Sequence, residues 1–293
     1  MNAAERAFLV TREVGLHVYG HLLGIWCTPV DSRTCEGTLE LAPIAFDDRG
    51  LPAFGVLASL GDMAMQTALL SAYPGRRLIT RTLNVRRIAS RRCSALRVLA
   101  KAVHAADGHA MSEASVSDDK GEPVALLSAT FVPIDPPQGW RPLPWETGLS
   151  VPSDEQLSHR PPLSAHEQES AKSLLQLIEN SGATYRDLLG IAAGGESAQG
   201  KWFLQPHLLN RAGEAQGGAI FGAHGEALQT LLPRGAVAIE QTVTFFKSIR
   251  SNVLIEGEMV YAGRRFASRI TRMRDDAGNL TSMSCIEYEI DHH

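Results

Sequence analysis

The sequence has few cysteines, no long apolar run and little net charge. Its 293 residues include four cysteines, Cys27, Cys35, Cys93 and Cys285, which form no C-x-x-C pair and no metal-ligand spacing. We therefore expect the reduced thiols of a cytosolic protein rather than a disulfide framework or a metal site.

The absence of other signals narrows the class of protein further. No run reaches the roughly 18 apolar residues of a membrane span, which argues against a membrane protein. Glu5, Arg6 and Arg12 interrupt the first residues, which lack the uncharged core of a signal peptide, so we expect a cytoplasmic protein. A net charge of −4 and a pI near 6.2 argue against a general nucleic-acid binder, although they leave room for a local basic patch.

Proline is concentrated in the middle of the chain. Eight of the fifteen prolines lie between Pro133 and Pro162, a composition that excludes a continuous helix or a central strand. This predicts a first domain at residues 1–135, a linker at 136–164 and a second domain at 165–293.

The same order of elements is predicted on either side of the linker. Each half has an irregular leading segment, one long apolar helix at about residues 55–72 or 218–232, and then several strands. The predicted strands are 78–88, 95–105, 110–117 and 123–134, followed in the second half by 237–246, 252–261, 266–274 and 280–290. Both halves carry an Asp-Asp-x-Gly hairpin turn, at Asp118 and at Asp275. One helix followed by an antiparallel meander, twice over, is an α+β plan.

One motif also occurs twice, about 163 residues apart. The first copy runs from Asp47 to Gly55, and the apolar helix after it carries Asp62. The second copy runs from Asn210 to Gly218, and the helix after it has Gly225 at the equivalent position. The first half thus has the acid, and the second half has the polar loop.

These features resemble hotdog-fold acyl-CoA thioesterases of the phenylacetate-pathway type. The loop of that family usually reads Asn-x-x-Gly-x-x-His-Gly-Gly. The second copy matches it at Asn210, Gly213, Gly217 and Gly218, with Gln216 in the place of the histidine. A Gly-Arg-Arg-like hairpin followed by Asp-Asp-x-Gly adds to the resemblance.

The first half departs further from the family loop. Asp47, Ala53 and Phe54 stand in the places of the asparagine, the histidine and the first glycine. It keeps Asp62 at the catalytic acid position, and Thr80 stands where some members carry a catalytic serine or threonine. By alignment, the second-half counterparts are Gly225 and Ile239, neither of which can do that chemistry.

The resemblance, over roughly residues 18–134 and 185–290, implies two tandem hotdog domains. Each is a long helix wrapped by a curved antiparallel sheet, and the two would form an intramolecular pseudo-dimer. In that family one hotdog supplies the loop and helix N-terminus, and its neighbour supplies the acid. We therefore expect one complete site, formed by Asp62, Thr80, Asn210, Gln216, Gly217 and Gly218. The other site, with Asp47, Ala53, Phe54 and Gly225, would be inactive.

The residue types suit thioester hydrolysis on physical grounds. The free N–H groups at a helix start, here Gly217 and Gly218, can hold a thioester oxygen as it becomes an oxyanion. Asp62 shares a polar stripe with Ser59 and Gln66 on an otherwise apolar helix, and can act as a nucleophile or as a general base. Thr80 can orient a water molecule.

Each assignment has an ordinary structural alternative. Thr80 can be a plain strand threonine, Asn210 can form a turn, and Gln216 can cap a helix. We expect His224 and Glu226, beside the acid position, to be interface or surface groups. Among the arginines, Arg86, Arg87, Arg264 and Arg265 are candidates for the phosphates of coenzyme A. The alternative for Arg86 and Arg87 is that they are solvated charges on an edge strand, where charge prevents pairing with another sheet.

The sequence therefore predicts an acyl-CoA thioesterase that uses no metal or redox cofactor. Its partners would be the acyl-CoA substrate and a possible second copy of the chain, with no nucleic acid and no membrane. Two other hypotheses stay open: a non-catalytic module that binds acyl-CoA or an acyl-carrier protein, and a hotdog hydratase or dehydratase.

Overall fold

The structure is a computed structural model that describes residues 1–106, 108–138, 140, 142–180, 182–191 and 198–290. Two linker residues, 139 and 141, and the last three residues of the second predicted domain lie outside this set. Within it, no helix combines the length and the apolar character that a membrane crossing requires.

Groups of helices are followed by runs of antiparallel strands, which is an α+β arrangement. The helices are α1 (Ala3–Val14), α2 (Val18–Leu23), α3 (Phe54–Leu69), α4 (Asp154–Ser158), α5 (Ala165–Glu179), α6 (Tyr185–Leu189) and α7 (Gly217–Glu226). The strands are β1 (Trp26–Pro29), β2 (Thr34–Glu40), β3 (Arg77–Arg87), β4 (Ala95–Ala106), β5 (His109–Asp118), β6 (Pro123–Ile134), β7 (Gln199–Trp202), β8 (Ala236–Phe245), β9 (Val253–Ala262), β10 (Phe266–Arg274) and β11 (Leu280–Ile290).

All strands of the described residues belong to one antiparallel sheet. Its order is β1-β2-β4-β5-β6-β3-β8-β11-β10-β9-β7. The strands of the first half thus lie together, those of the second half lie together, and β3 joins them to β8 through pairs such as Thr82 with Thr244. Several strands alternate buried and exposed residues, as expected for a sheet with one face on the core.

The helix α3 is the centre of the core. Every residue of it except Gln66 is buried, because β1 to β6 wrap around it on one side and α7 packs on the other. A helix that is apolar all round is stable only in such an enclosed place. Gly218 lets the two helices approach closely, since a Cβ there would lie 2.7 Å from the Cα of Ser59.

Some elements differ from the sequence predictions. The leading segment of each half is not irregular: it contains α1, α2, β1 and β2 in the first half, and α5, α6 and β7 in the second. The elements α2, β1, α6 and β7 have only four to six residues, too few for a periodic pattern, whereas α1, β2 and α5 are longer patterned elements that the sequence analysis missed.

The helix α7 ends at Glu226 rather than near 232. The guanidinium of Arg269, which is fully buried, donates to the carbonyl oxygens of His224, Gly225, Ala227 and Leu228 at 2.7–3.2 Å. Cations bind favourably at a helix C-terminus, where carbonyl groups lack partners. A residue far away in the sequence therefore ends this helix.

Candidate functional site

Asp62 is a fully buried acid in the middle of α3. The residue is 1% exposed. Each of its two carboxylate oxygens accepts a hydrogen bond from a different side chain. Thr80 on β3 donates its hydroxyl to Oδ1 at 2.8 Å, and Gln66, one turn further along α3, donates its amide to Oδ2 at 3.1 Å. These bonds fix the orientation of the carboxylate.

The buried position of Asp62 changes its acidity. Burial raises its pKa from 3.8 to about 6, while the hydrogen bonds from Thr80 and Gln66 act in the opposite direction. A carboxyl group with a pKa near neutral is a more effective general base than an ordinary aspartate. Strongly perturbed groups of this kind are also characteristic of functional sites.

The loop before α7 is held by Asn210. The side-chain oxygen of Asn210 accepts from the amides of Ala212 and Glu214, at 2.8 and 3.2 Å, and its carbonyl accepts from Gly213 at 3.0 Å. Gly213 has φ of 70°, a left-handed conformation that glycine adopts readily. Asn210 therefore orders the loop, which agrees with the turn-forming role that was its structural alternative.

Gln216 and Gly217 form the start of α7. Gln216 is the N-cap, and its Oε1 accepts from the amide of Ala219 at 2.9 Å. This is the capping role considered above, and it leaves the side-chain nitrogen, a donor, for other partners. Gly217 follows, and a Cβ placed on it would lie 3.3 Å from Oδ2 of Asp62 and 4.0 Å from Oγ1 of Thr80. The start of α7 and the acid of α3 are therefore in close proximity.

These groups line a common cavity of about 350 Å³. Asp62, Thr80, Asn210, Gln216 and Gly217 all contribute to its wall. Gly218 lies behind it, in the contact with α3. Apolar side chains complete much of the wall: Leu16, Met63, Leu78, Leu143, Ile220 and Phe245. The cavity combines an apolar interior with a few polar groups, the usual make-up of a small-molecule site.

An ion-pair network that the sequence reasoning missed joins the loop to β3. Glu214 accepts from Arg77 at 2.7 Å and from Arg250 at 2.8 Å, and the Glu214 and Arg77 side chains are only 11% and 13% exposed. The hydrogen bonds with Arg77 and Arg250 outweigh the burial and lower the pKa of Glu214. No local signal reveals this network, because Arg250 and Arg77 are 36 and 137 residues away from Glu214 in the sequence.

The linker contributes to the same wall. Trp140 lines the cavity, and its ring lies 3.8 Å from the guanidinium carbon of Arg211 and 5.1 Å from that of Arg77. Cations over an aromatic face are attracted by the ring quadrupole. The linker therefore closes one side of the cavity, a role that its proline content did not suggest.

The four arginines predicted for phosphate binding lie outside this cavity wall. Arg86 pairs with Glu240 on the neighbouring strand at 2.8 Å, and Arg264 and Arg265 are exposed in the turn between β9 and β10. Arg87 is buried, donates to the carbonyl of Pro52 at 2.9 Å and lies over the ring of Phe54. The cationic residues that do line the cavity are Arg77, Arg81, Arg211 and Lys247.

A second, smaller cavity of about 90 Å³ lies beside the loop that precedes α3. It is lined in part by Asp47, Phe54, Arg87, Gly225 and Glu226. Burial, followed by the charges of Asp47 and Asp48, raises the pKa of Glu226 to about 7.

His224 is not a surface group, since it is fully buried. Its ring nitrogens bond the hydroxyls of Thr271 and Ser282 at 2.7 and 2.8 Å. Burial lowers its pKa to about 3, so the ring is neutral, and it serves the packing of α7 on the sheet.

Comparison with solved structures identifies the fold as the hotdog fold. A protein provisionally assigned as an oleoyl thioesterase from Lactobacillus plantarum aligns with 90% of this chain and 99% of its own, with a TM-score of 0.61 and 8% identity. A hotdog-fold protein of unknown function from Alicyclobacillus acidocaldarius aligns over 94% and 99%, with a TM-score of 0.55 and 14% identity.

The chain is also similar to the 12:0-ACP thioesterase of Umbellularia californica, over 87% of this chain and 93% of that one, with a TM-score of 0.54 and 10% identity. The structural neighbours therefore include hotdog-fold thioesterases that match most of the chain. No family model matches the sequence, and the curated proteins include no matching relative.

Proposed function

We propose that this protein is a thioesterase that hydrolyses an acyl thioester of coenzyme A or of an acyl-carrier protein. The observation that carries the proposal is the position of Asp62, whose carboxylate faces the start of α7 across one cavity. We further propose that the two halves are tandem hotdog domains at residues 1–135 and 165–293. On this proposal the site is composite, with Asp62 and Thr80 from the first domain and residues 210–218 from the second.

The proposed roles follow from the position of each group. The thioester carbonyl oxygen accepts from the free N–H groups at the start of α7, which are backed by the helix dipole. Asp62 takes a proton from a water molecule, or attacks the carbonyl carbon itself and is regenerated by water. The water oxygen ends in the free acid, the carbon–sulfur bond breaks, and the thiolate leaving group gains a proton.

Thr80, Gln66, Asn210 and Gln216 then act mainly by positioning. Thr80 and Gln66 hold the carboxylate, and Asn210 and Gln216 hold the loop and the helix start. Gln216 caps the helix through its oxygen and keeps its amide nitrogen as a hydrogen-bond donor. An amide does not transfer a proton as a histidine can, so proton transfer has to rest on Asp62.

The cations of the cavity wall suit a phosphorylated carrier. Arg81 and Lys247 line the cavity and are exposed, and guanidinium and ammonium groups both bind phosphate oxygens. We therefore propose these two residues, rather than Arg264 and Arg265, as contacts for the phosphates of coenzyme A or of a phosphopantetheine arm.

Thiol release from short, long and aromatic acyl-CoAs tests the proposal, with native protein compared against Asp62→Asn. Hydrolysis that is lost in the variant supports it. Equal rates for both proteins would place the chemistry elsewhere. Tight acyl-CoA binding with no hydrolysis by the native protein would favour a non-catalytic binding module, and enoyl-CoA hydration would favour a hydratase.

A further inference from the structure

The apolar residues of the cavity wall fall into two groups by their exposure. Ile79 and Phe246 line the cavity and are 39% and 42% exposed. Four other lining residues, which we call the floor, are only 2–4% exposed: Leu16, Met63, Leu143 and Ile220. A residue that solvent hardly reaches cannot stand at the opening of a cavity, so the floor is part of its inner wall.

The floor joins the two central helices to two other segments. Two of its members lie on α3 and α7, whereas Leu16 is in the turn between α1 and α2 and Leu143 is in the linker. The turn packs on the linker, since a Cβ placed on Gly15 would lie 3.9 Å from the carbonyl oxygen of Pro142. Protein interiors are close-packed and yield little, so the floor is a fixed end of the cavity.

Leu16 has a backbone conformation that leucine rarely adopts. Its φ is 67°, in the left-handed region. Such strain persists only where the surrounding structure requires it, and strained residues cluster at functional sites. A glycine would adopt this backbone without strain but would leave the floor without a side chain here. The strain therefore points to a function of the Leu16 side chain in the cavity wall.

The positions of the reacting groups decide which part of a substrate meets the floor. On the proposed function, the thioester lies between Asp62 and Gly217, and its carrier leaves past the exposed cations Arg81 and Lys247. The acyl group then extends the other way, into the part of the cavity that the buried apolar residues enclose. The floor is thus the surface that the end of the acyl group meets.

The volume of the cavity limits the size of that acyl group. A cavity of about 150 Å³ holds benzene, which has six carbons. On that scale the cavity of about 350 Å³ holds about fourteen non-hydrogen atoms. These have to include the sulfur, the carbonyl oxygen and the inner atoms of the carrier arm, so about eight remain for the carbons of the acyl group.

We propose that this protein acts on short and medium acyl groups of up to about eight carbons, and that Leu16 and Leu143 set this limit as specificity-determining residues. The inference rests on the proposed thioesterase function and names its substrate class. One aromatic ring with its carboxyl carbon fits within the same limit, whereas a straight chain of twelve or more carbons does not.

Hydrolysis of straight-chain acyl-CoAs of four to sixteen carbons tests the proposal. We expect the highest kcat/KM of the native protein at six to eight carbons, and a value at least about tenfold lower for dodecanoyl-CoA. Leu143→Ala and Leu16→Gly each remove part of the floor, so each should move the maximum to chains about two to four carbons longer. Leu157→Ala is the matched control, because Leu157 is a linker leucine that is 1% exposed and lies outside the cavity wall. It should keep the native chain-length profile.

A native maximum at twelve or more carbons would overturn the proposal, as would a maximum that stays in place in both floor variants. Leu16→Gly relieves backbone strain, so it keeps the test possible if Leu143→Ala does not fold. If the native protein hydrolyses no acyl-CoA, the thioesterase proposal fails on its own. Calorimetric binding of S-alkyl-CoA thioethers of the same lengths, which no esterase can cleave, then still tests the floor. The same order of affinities in native protein and both floor variants contradicts it.

Discussion

The loop before α3 and the loop before α7 share one set of hydrogen bonds. Asp47 accepts from the amides two and four residues later, Arg49 and Leu51, just as Asn210 accepts from Ala212 and Glu214. The following glycines, at 50 and 213, have φ values of 71° and 70°. Asp47 and Asn210 occupy equivalent places although only one is an amide, because both side chains present the oxygen that such a turn needs.

The two junctions differ where each loop enters its helix. The α7 start has a capping residue, Gln216, and a glycine that borders Asp62. The α3 start has Ala53, which makes no side-chain cap, and Phe54, whose ring lies under Arg87. The cavity beside the start of α7 has a volume of about 350 Å³, and the cavity beside the start of α3 has a volume of about 90 Å³. The turn before each helix is therefore the same at both junctions, whereas the side chains at the helix start differ.

The largest expected effect is on turnover, and it contrasts Asp62 with Glu226, the acid that lines the smaller cavity. Asp62→Asn should lower kcat by at least about 100-fold, because it removes the base or nucleophile and keeps the shape. Glu226→Gln, the matched change at the other junction, should leave kcat within about twofold. Thiol release from an acyl-CoA measures both. A large loss in Glu226→Gln would mean that the α3 junction also takes part in catalysis.

The same pair should differ in how stability depends on pH. The pKa of Asp62 is raised on folding, so the native protein loses stability as pH rises from about 4 to about 6 and is constant above that. Asp62→Asn should lack this loss and exceed the native free energy of unfolding by about 3 kcal/mol at pH 8, with little difference near pH 4.

Urea unfolding at a series of pH values measures this difference. For Glu226→Gln the gain should develop between about 4.5 and 7, because the pKa of Glu226 is raised to about 7. Identical profiles for the two variants would contradict the assigned pKa order.

A smaller effect is expected from the cap that only the α7 junction has. Gln216→Ala should reduce the free energy of unfolding by about 1 kcal/mol and should also lower kcat, since it loosens the amides beside Asp62. Ser164→Ala is the matched control, because Ser164 caps α5, away from the cavity. It should cost similar stability without changing kcat. A kcat loss of equal size in both variants would show a general folding effect.

The smallest effect concerns the hydroxyl that orients Asp62. The hydrogen bond from Thr80 lowers the pKa of Asp62, so Thr80→Val should move the acidic limb of the pH–rate profile to higher pH and reduce activity at pH 6 more than at pH 8. Thr82→Val, on the same strand but bonded to Thr130, serves as the control. An unshifted limb in Thr80→Val would exclude Asp62 as the group that titrates in the reaction.

The sequence was most informative where structure is local. All eight strands that it predicted are present within one or two residues, because alternating burial and Asp-Asp-x-Gly turns are signals of neighbouring residues. In both turns the aspartate, Asp118 or Asp275, accepts from the amides two and four residues later. The repeated loop motif was also readable, since it reflects one turn geometry used twice.

The sequence was least informative about contacts between distant residues. The early end of α7 depends on Arg269, and the Glu214 network depends on Arg77 and Arg250. The left-handed backbone of Leu16, in the turn between α1 and α2, likewise has no signal in the sequence.

By itself, then, the sequence determined the strands, the turns and the repeated loops, because hydrogen-bonding partners two to four residues apart and the alternation of side chains specify them. The family resemblance led us to expect Asp62 near Gly217, but only the tertiary structure shows that they are neighbours and that β3 pairs with β8. That proximity depends on how two apolar helices pack and how two sheet edges meet. These are contacts between residues more than 150 positions apart, and no local pattern encodes them.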